Sequence, residues 1–181
     1  MKKLLCILLI LGMVSWLWVN TAQAATTDTF QITVTCNFLA INLRNTGDSA
    51  DYTTWAMGQK AENTPTTMTQ SEGIKVVNTS NVSTDLSAWV SVPAAAWTNA
   101  AAAGANQYKL EMKCFAATQG SPDLSSGTTV ITSTSTPGED IKAGLAATTD
   151  QWAYGKFTTP TSTTSGAEQT ITVTILVATA T

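Results

Sequence analysis

The sequence predicts an all-β fold, a β-sandwich of about eight or nine strands in one domain. Threonine, a β-branched residue that packs well on pleated surfaces, makes up roughly a fifth of residues 25–181. Several short segments alternate apolar and polar residues, which is typical of half-buried strands. Turn clusters rich in Gly, Pro, Asn and Ser separate these segments, and no long helical pattern interrupts them.

The first 24 residues have the three parts of a secretory signal peptide. Lys2 and Lys3 precede an apolar run over residues 4–18, and Ala22-Gln23-Ala24 supplies the small residues of a cleavage site. We therefore predict cleavage after Ala24 and a single domain over residues 25–181. The apolar run is shorter than the roughly 20 residues that span a bilayer, so no membrane span is expected after cleavage. The domain is expected to be secreted, at the cell surface or in the periplasm.

Charge and cysteine content narrow the classes of partner. Loss of Lys2 and Lys3 with the leader leaves 7 basic residues against 12 acidic ones, a net charge of −5. Such a balance offers no footprint for a phosphate backbone, so no nucleic-acid partner is expected. Cys36 and Cys114 remain after cleavage, and the secretory route favours a disulfide between them. The alternative is two buried free thiols.

The strands can be placed in chain order. The first covers residues 30–36, and a second apolar set at 39, 41 and 43 follows a change of phase near Asn37. Further strands are predicted over 52–57, 73–78, 85–92, 107–115, 128–133 and 152–158, and the last over 169–178. The alternating apolar residues of the two terminal strands are Phe30, Ile32, Val34, Ile171, Val173, Ile175 and Val177.

Two connections depart from this pattern. Residues 93–106 are rich in alanine, the best helix former, and predict a short helix. Residues 116–140 are dominated by Ser, Thr, Gly and Pro, and predict a mobile connection with one modest strand. Regularly spaced short strands with polar turns favour an immunoglobulin-like sandwich.

The residue types needed for common catalytic mechanisms are missing or scattered. The sequence contains no histidine, which excludes Ser-His and Cys-His mechanisms and removes the commonest metal ligand. Four acids, Asp123, Glu139, Asp140 and Asp150, stand in polar surroundings typical of solvated loop charges. No glycine motif for a nucleotide is present. The sequence therefore predicts a protein that is not an enzyme and that uses no cofactor.

Two binding features remain as weaker candidates. The loop 45–51 gathers oxygen ligands around Asp48 and Asp51, which suits calcium but also a plain polar turn. Trp97, Trp55 and Trp152 are candidates for stacking on a glycan, with Trp97 expected to be the most exposed. Trp89 is assigned to the core, because a sandwich of this size needs large apolar residues.

Two segments resemble known families. Residues 76–86, with Asn78, Asn81, Asp85 and Leu86, resemble a turn that recurs in bacterial immunoglobulin-like surface domains. Residues 25–36, taken with the threonine-alternating last strand, are similar to secreted pilin-like domains of the spore coat U kind. The resemblance implies a sandwich fold outside the cytoplasm. Cys36 lacks a second cysteine nearby, which departs from the disulfide arrangement of the pilin-like family.

These observations lead to two functional hypotheses. The first is a structural subunit of an extracellular filament, pilus-like appendage or surface layer that self-associates through sheet edges. It rests on the absence of charge in residues 30–36 and 170–178, since edge strands are ordinarily protected by charge or proline. Both strands could instead be paired inside the sandwich. The second is a carbohydrate-binding or adhesive module that uses Trp97, Trp55 or Trp152, and a hydrolase that uses a residue such as Asp140 is a remote third.

Overall fold

The structure, a computed structural model, describes residues 31–34 and 36–181. The predicted signal peptide, residues 1–24, and the predicted strand residue Phe30 lie outside the described residues. The chain divides into two units, and the β domain is the second of them, Cys36–Thr181. Among the described residues, no helix is long and apolar enough to cross a membrane.

The described part of the chain is all-β, with ten strands and a single turn of 3-10 helix at Gln70–Glu72. The longer strands carry most of the core, and the shorter ones pair at its margins. In chain order the strands are β1 (Ile41–Asn45), β2 (Pro65–Thr67), β3 (Ile74–Asn78), β4 (Thr84–Val92), β5 (Thr98–Asn99), β6 (Gln107–Phe115), β7 (Thr129–Val130), β8 (Glu139–Leu145), β9 (Gln151–Thr158) and β10 (Thr172–Thr179).

The strands form two sheets. The larger sheet has the order β1-β3-β9-β6-β5, with β2 also paired to β9 and β7 to β6. The smaller sheet has the order β10-β4-β8. All pairs are antiparallel except β5 with β6. One hydrophobic cluster contains residues from both sheets, so the fold is a two-sheet, sandwich-like arrangement around a shared core.

Period-two alternation explains how each strand reaches this core. On β4, Leu86, Ala88 and Val90 are fully buried, and the residues between them point the other way. On β6, Tyr108, Leu110 and Met112 are buried in the same manner. Tyr108 stacks on Phe157 of β9 with ring centroids 5.1 Å apart. The alternation visible in the sequence therefore does decide which face of each strand enters the core.

Most of the predicted strands are confirmed. β3, β4, β6, β9 and β10 begin within three residues of the predicted positions, and β6 has the predicted bounds. The apolar set at 39, 41 and 43 lies partly in β1. Of residues 128–133, only Thr129–Val130 form a strand.

Several expectations were wrong. Residues 31–34 of the first predicted strand form no strand in the described part of the chain. Residues 52–57 form none either, although Tyr52, Trp55 and Met57 pack against the core. The alanine-rich region 93–106 contains β5 and turns, because pairing with β6 outweighs helix propensity. The region 116–140 is not a loose connection, since Leu124 and Ile131 are buried and its last two residues begin β8.

The predicted disulfide is not formed, and Cys36 and Cys114 are both free. The register explains this. Cys114 lies opposite Ala153 of β9, which lies opposite Ile74 of β3, so β3 is two strand spacings away, ~10 Å. The Cys36 carbonyl is held by Asn81, beyond the far end of β3, ~13 Å along the strand. A disulfide needs Cα atoms within about 7 Å.

Candidate functional site: the β10 edge and the outward-facing aromatic residues

Strand β10 is an edge of the smaller sheet. Among the described residues its only strand partner is β4, on one side. Its eight residues contain no charged side chain and no proline. The register is regular over most of its length, with one irregularity at Thr172/Val173. A long, uncharged and regular edge leaves a row of backbone N–H and C=O groups ready to pair with another strand.

The inward side of β10 is incompletely covered. Val173, Ile175 and Val177 lie opposite Val90, Ala88 and Leu86 of β4, and all three pack against the core. Their partners on β4 are fully buried, whereas the three β10 residues are only half-buried. The sequence therefore predicted the correct inward set. The apolar margin beside β10 has room for further apolar contact.

The segment Gln31–Val34 precedes the β domain and contains two of the apolar residues predicted for the first strand. Ile32 and Val34 are 76% and 75% exposed, although they are the apolar members of an alternating run. Large aliphatic side chains at such exposure gain about 1.5–3 kcal/mol each when buried. Phe30, the next apolar member in the sequence, lies outside the described residues. The segment has the composition of a strand but no partner among the described residues.

The segment 76–86, which includes the turn between β3 and β4, holds several connections together. Asn78 donates through Nδ2 to the backbone carbonyl of Ala146, at 3.1 Å. Asn81 accepts from the backbone N–H of Phe38 through Oδ1, at 2.8 Å. Asp85 accepts from a backbone N–H of β8 at 2.7 Å. These side chains satisfy backbone groups that would otherwise lack partners, so their role is structural.

The three tryptophans predicted to stack on a ligand are all half-buried and pack against the core. The indole N–H of Trp97 donates to Thr163 Oγ1 at 2.7 Å, and that of Trp55 donates to Glu72 at 3.2 Å. Trp152 lies on the outward face of the larger sheet, with Lys75 Nζ 5.6 Å from its ring centroid. Trp97 is therefore less exposed than expected.

Trp89 was wrongly assigned to the core. It lies on β4 between the buried residues Ala88 and Val90, so the pleat turns it to the outward face of the smaller sheet. It is half-buried, and among the described tryptophans it is the one that does not pack against the core. The alternation of β4 was the signal that could have placed it correctly.

The calcium candidates Asp48 and Asp51 are engaged by basic side chains. Asp48 accepts from Lys75 Nζ at 2.9 Å and from Arg44 Nε at 3.1 Å, and Asp51 accepts from Arg44 at 2.6 Å. The hydrogen bonds from Lys75 and then Arg44 lower the pKa of Asp48, and bonds to Asp48 and Asp150 raise the pKa of Lys75. No cluster of three or more metal-ligating side chains occurs in residues 31–34 and 36–181.

The four acids considered for hydrolysis differ in their surroundings. Asp123 accepts hydrogen bonds from the backbone and side chain of Ser125, which lower its pKa. Asp150 pairs with Lys75 at 3.0 Å, and Glu139 accepts from Thr132 at 2.7 Å. Asp140 is exposed on β8. The lowered pKa of Asp123 is the opposite of what a general acid requires.

Cys114 is a free cysteine whose thiol has a shifted pKa. Burial on the inward side of β6 raises its pKa to about 12, and the nearby Lys142 opposes this shift weakly. The thiol is therefore protonated at neutral pH, and it is a poor nucleophile. Its environment is that of a small core residue.

Comparison with known proteins identifies no relative of this chain: no protein family, curated protein or solved structure matches it.

Proposed function

We propose that this chain is a secreted, non-enzymatic structural subunit of an extracellular filament, pilus-like appendage or surface layer. The domain is an immunoglobulin-like β-sandwich in this proposal, and copies of it associate through a sheet edge. The observation that carries the proposal is the β10 edge, eight uncharged residues with one strand partner among those described. An edge of this kind accepts a strand from another chain.

The inward residues of β10 explain why an added strand is stabilising. Val173, Ile175 and Val177 are half-buried, so a neighbouring strand that covers them removes apolar surface from water. At about 25 cal/mol per Å² of apolar area, this contribution adds to that of the backbone hydrogen bonds formed along the edge. An added strand therefore completes both the sheet and the core margin.

The segment Gln31–Val34 of a second copy supplies the matching chemistry. Ile32 and Val34 alternate with Gln31 and Thr33, so a strand formed by this segment presents both aliphatic residues to one face. Placed beside β10, that face continues the row of Val173, Ile175 and Val177. Donation from one copy to the next links identical subunits head to tail, which produces an open polymer.

The decisive experiment is electron microscopy and light scattering of the protein purified without residues 1–24. The double variant Ile32→Asp/Val34→Asp is expected to stay monomeric, because it places two charges against the apolar margin of β10. The matched control Gln31→Asp/Thr33→Asp carries the same charge on the opposite face and is expected to retain assembly. A wild-type protein that stays monomeric over a wide concentration range contradicts the proposal.

The alternative of a glycan-binding module that uses Trp97, Trp55 or Trp152 receives less support. All three rings pack against the core, and two of the three indole N–H groups bond within the domain. Binding through these residues would require local rearrangement. A glycan array screened with wild-type protein and a Trp97→Ala variant tests it, and loss of a wild-type signal in the variant would favour it.

A further inference from the structure

We propose that the outward face of the smaller sheet around Trp89 is a binding platform for a neutral carbohydrate, in which the indole stacks on a pyranose ring. This face is separate from the β10 edge and from the inward side of the sandwich. The inference does not depend on the proposed assembly.

Trp89 is held in place from behind. It lies on the central strand of the β10-β4-β8 sheet, and its neighbours along the chain, Ala88 and Val90, are both fully buried. The backbone under the ring is therefore anchored in the core on both sides. A ring held on a rigid strand loses little conformational entropy when a ligand binds.

The indole N–H of Trp89 differs from those of the other tryptophans in the described residues. The indole N–H of Trp55 bonds to Glu72 and that of Trp97 bonds to Thr163, while that of Trp152 is buried without a partner among those residues. The indole N–H of Trp89 makes no hydrogen bond to a described residue. An aromatic face with a donor at its edge suits a sugar, which presents C–H groups on one face and hydroxyls at its rim.

The neighbours of Trp89 on this face supply hydroxyl groups. Thr174 of β10 lies directly opposite Trp89, which puts the two Cβ atoms about 4.5–5.5 Å apart. Thr174 Oγ1 donates to Ser91 Oγ at 2.7 Å, and Ser91 Oγ donates to the Thr172 carbonyl at 3.3 Å. This chain of bonds orients the Thr174 hydroxyl and leaves its lone pairs free to accept from a sugar hydroxyl.

The charge on this face selects the kind of sugar. The outward residues of β4 and β10 include no lysine or arginine, and their one charged residue, Asp85, accepts from a backbone N–H of β8. On the other side of β4, Asp140 of β8 lies opposite Ser87. Acidic polysaccharides require cationic side chains to neutralise their carboxylates or sulfates. A ring with hydroxyls on one side and a carboxylate on the other therefore favours a neutral glycan over an acidic one.

The test measures binding of neutral oligosaccharides to the protein purified without its leader. Cellohexaose, chitohexaose and maltohexaose are the probes, with an oligogalacturonate as the acidic comparison, and titration calorimetry is the readout. At least one neutral probe is expected to bind with the acidic one silent. Trp89→Ala is expected to weaken that binding about tenfold or more, which corresponds to about 1.4 kcal/mol.

Two variants make the result specific to this face. Thr174→Val removes the hydroxyl but keeps the shape, and it is expected to weaken binding severalfold. Trp152→Phe changes a tryptophan on the outward face of the other sheet and is expected to bind as wild type. Equal binding by wild type and Trp89→Ala, or silence of every neutral probe, overturns the proposal. A Trp89→Ala variant that binds glycan normally but changes oligomeric mass assigns the face to protein contact instead and also overturns it.

Discussion

The two edges of the smaller sheet, β8 and β10, differ in nearly every property that controls strand addition. The seven residues of β8 include Glu139, Asp140 and Lys142, whereas the eight residues of β10 include no charge. Two register shifts interrupt the pairing of β8 with β4, and they fall in the middle of the strand. Charge and irregularity protect edge strands from pairing. Within the described residues, the β8 edge of this sheet is therefore protected and the β10 edge is open.

The inward sides of the two edges differ in the same sense. Ile141 and Leu145 of β8 are 8% and 2% exposed, while the inward residues of β10 are half-buried. Strand β7 also bonds to β8, since Thr129 Oγ1 donates to the Asp140 carbonyl at 2.7 Å. The inward residues of β8 are therefore already covered by other residues of the domain. The properties of an open edge therefore belong to β10 alone among the two edge strands, and they do not follow from the small size of the sheet.

The largest expected effect comes from adding charge to the open edge. Ile175→Lys places an ammonium group in the inward apolar row of β10, and assembly is expected to be lost because Ile32 and Val34 of the incoming strand must pack against it. Ala143→Lys adds the same charge at an exposed position on β8 and should leave assembly intact. Light scattering against concentration measures both. Equal loss in the two variants would show that β10 has no special role.

Removing an inward side chain from each edge separates their contributions to folding. Ile141→Ala is expected to cost about 2–4 kcal/mol of unfolding free energy, because the residue is buried and leaves a cavity. Ile175→Ala should cost less in the monomer, about 1–2 kcal/mol, because its side chain is half-exposed before assembly. Urea unfolding at a concentration where the protein is monomeric gives both values. A larger cost at Ile175 would mean that the β10 margin is already complete.

A substitution at a backbone irregularity of β8 is expected to have a smaller effect on stability. Gly144 has φ of 60°, a left-handed conformation that side chains disfavour, and a Cβ there meets no atom within 4 Å. Gly144→Ala should therefore cost about 1 kcal/mol through strain alone. Gly166→Ala, which is equally open but without the positive φ, is the control and should change stability by under about 0.5 kcal/mol. Similar melting temperatures for both variants would show that the irregular backbone of β8 costs nothing.

The smallest expected effect is on pH dependence, and it lies away from both edges. Hydrogen bonds from Lys75 and Arg44 lower the pKa of Asp48. For Glu111, burial acts to raise the pKa, but the contacts from Lys109 and Lys156 outweigh the effect of burial, and the pKa of Glu111 is lowered overall. Both groups contribute stability that is complete above about pH 5 and is lost as the pH falls through the lowered values. The melting temperature should therefore fall modestly below about pH 4.5, and less so in Asp48→Asn.

Acid should not act on assembly directly, because β10 contains no titratable side chain. Sedimentation at pH 5 and pH 8 tests this, with equal assembly expected. A large difference between the two would place charged groups at the contact between copies. It would then favour a contact that includes the charged residues of β8.

Sequence patterns predicted the long strands well and the margins poorly. The alternation in residues 107–115 and 169–178 is sustained over several periods, so β6 and β10 were recognised, and the inward residues predicted for β10 were correct. β2, β5 and β7 contain two or three residues each, too few for a period to be visible. β8 was hidden at the end of a Ser/Thr-rich stretch because its bulges break the alternation with β4.

The candidate site divides in the same way. In the sequence, the alternation of apolar and polar residues and the absence of charge identified one set of candidate assembly residues: Ile32, Val34, Val173, Ile175 and Val177. Whether a tryptophan faces the core depends on which face of its strand the residue lies on and on which residues pack over that face. Trp89 was misassigned because its size was weighed before its position between Ala88 and Val90 on β4.

The sequence by itself determined the all-β class, the lack of histidine-dependent chemistry and the inward set of β10, because these follow from residue types and period-two geometry. Only the tertiary structure decided that β10 ends its sheet and that Cys36 and Cys114 lie apart. It also decided that Trp89 faces outward while Trp97 packs inward. Strand order joins residues that are far apart along the chain, and local sequence carries no record of which strands become neighbours.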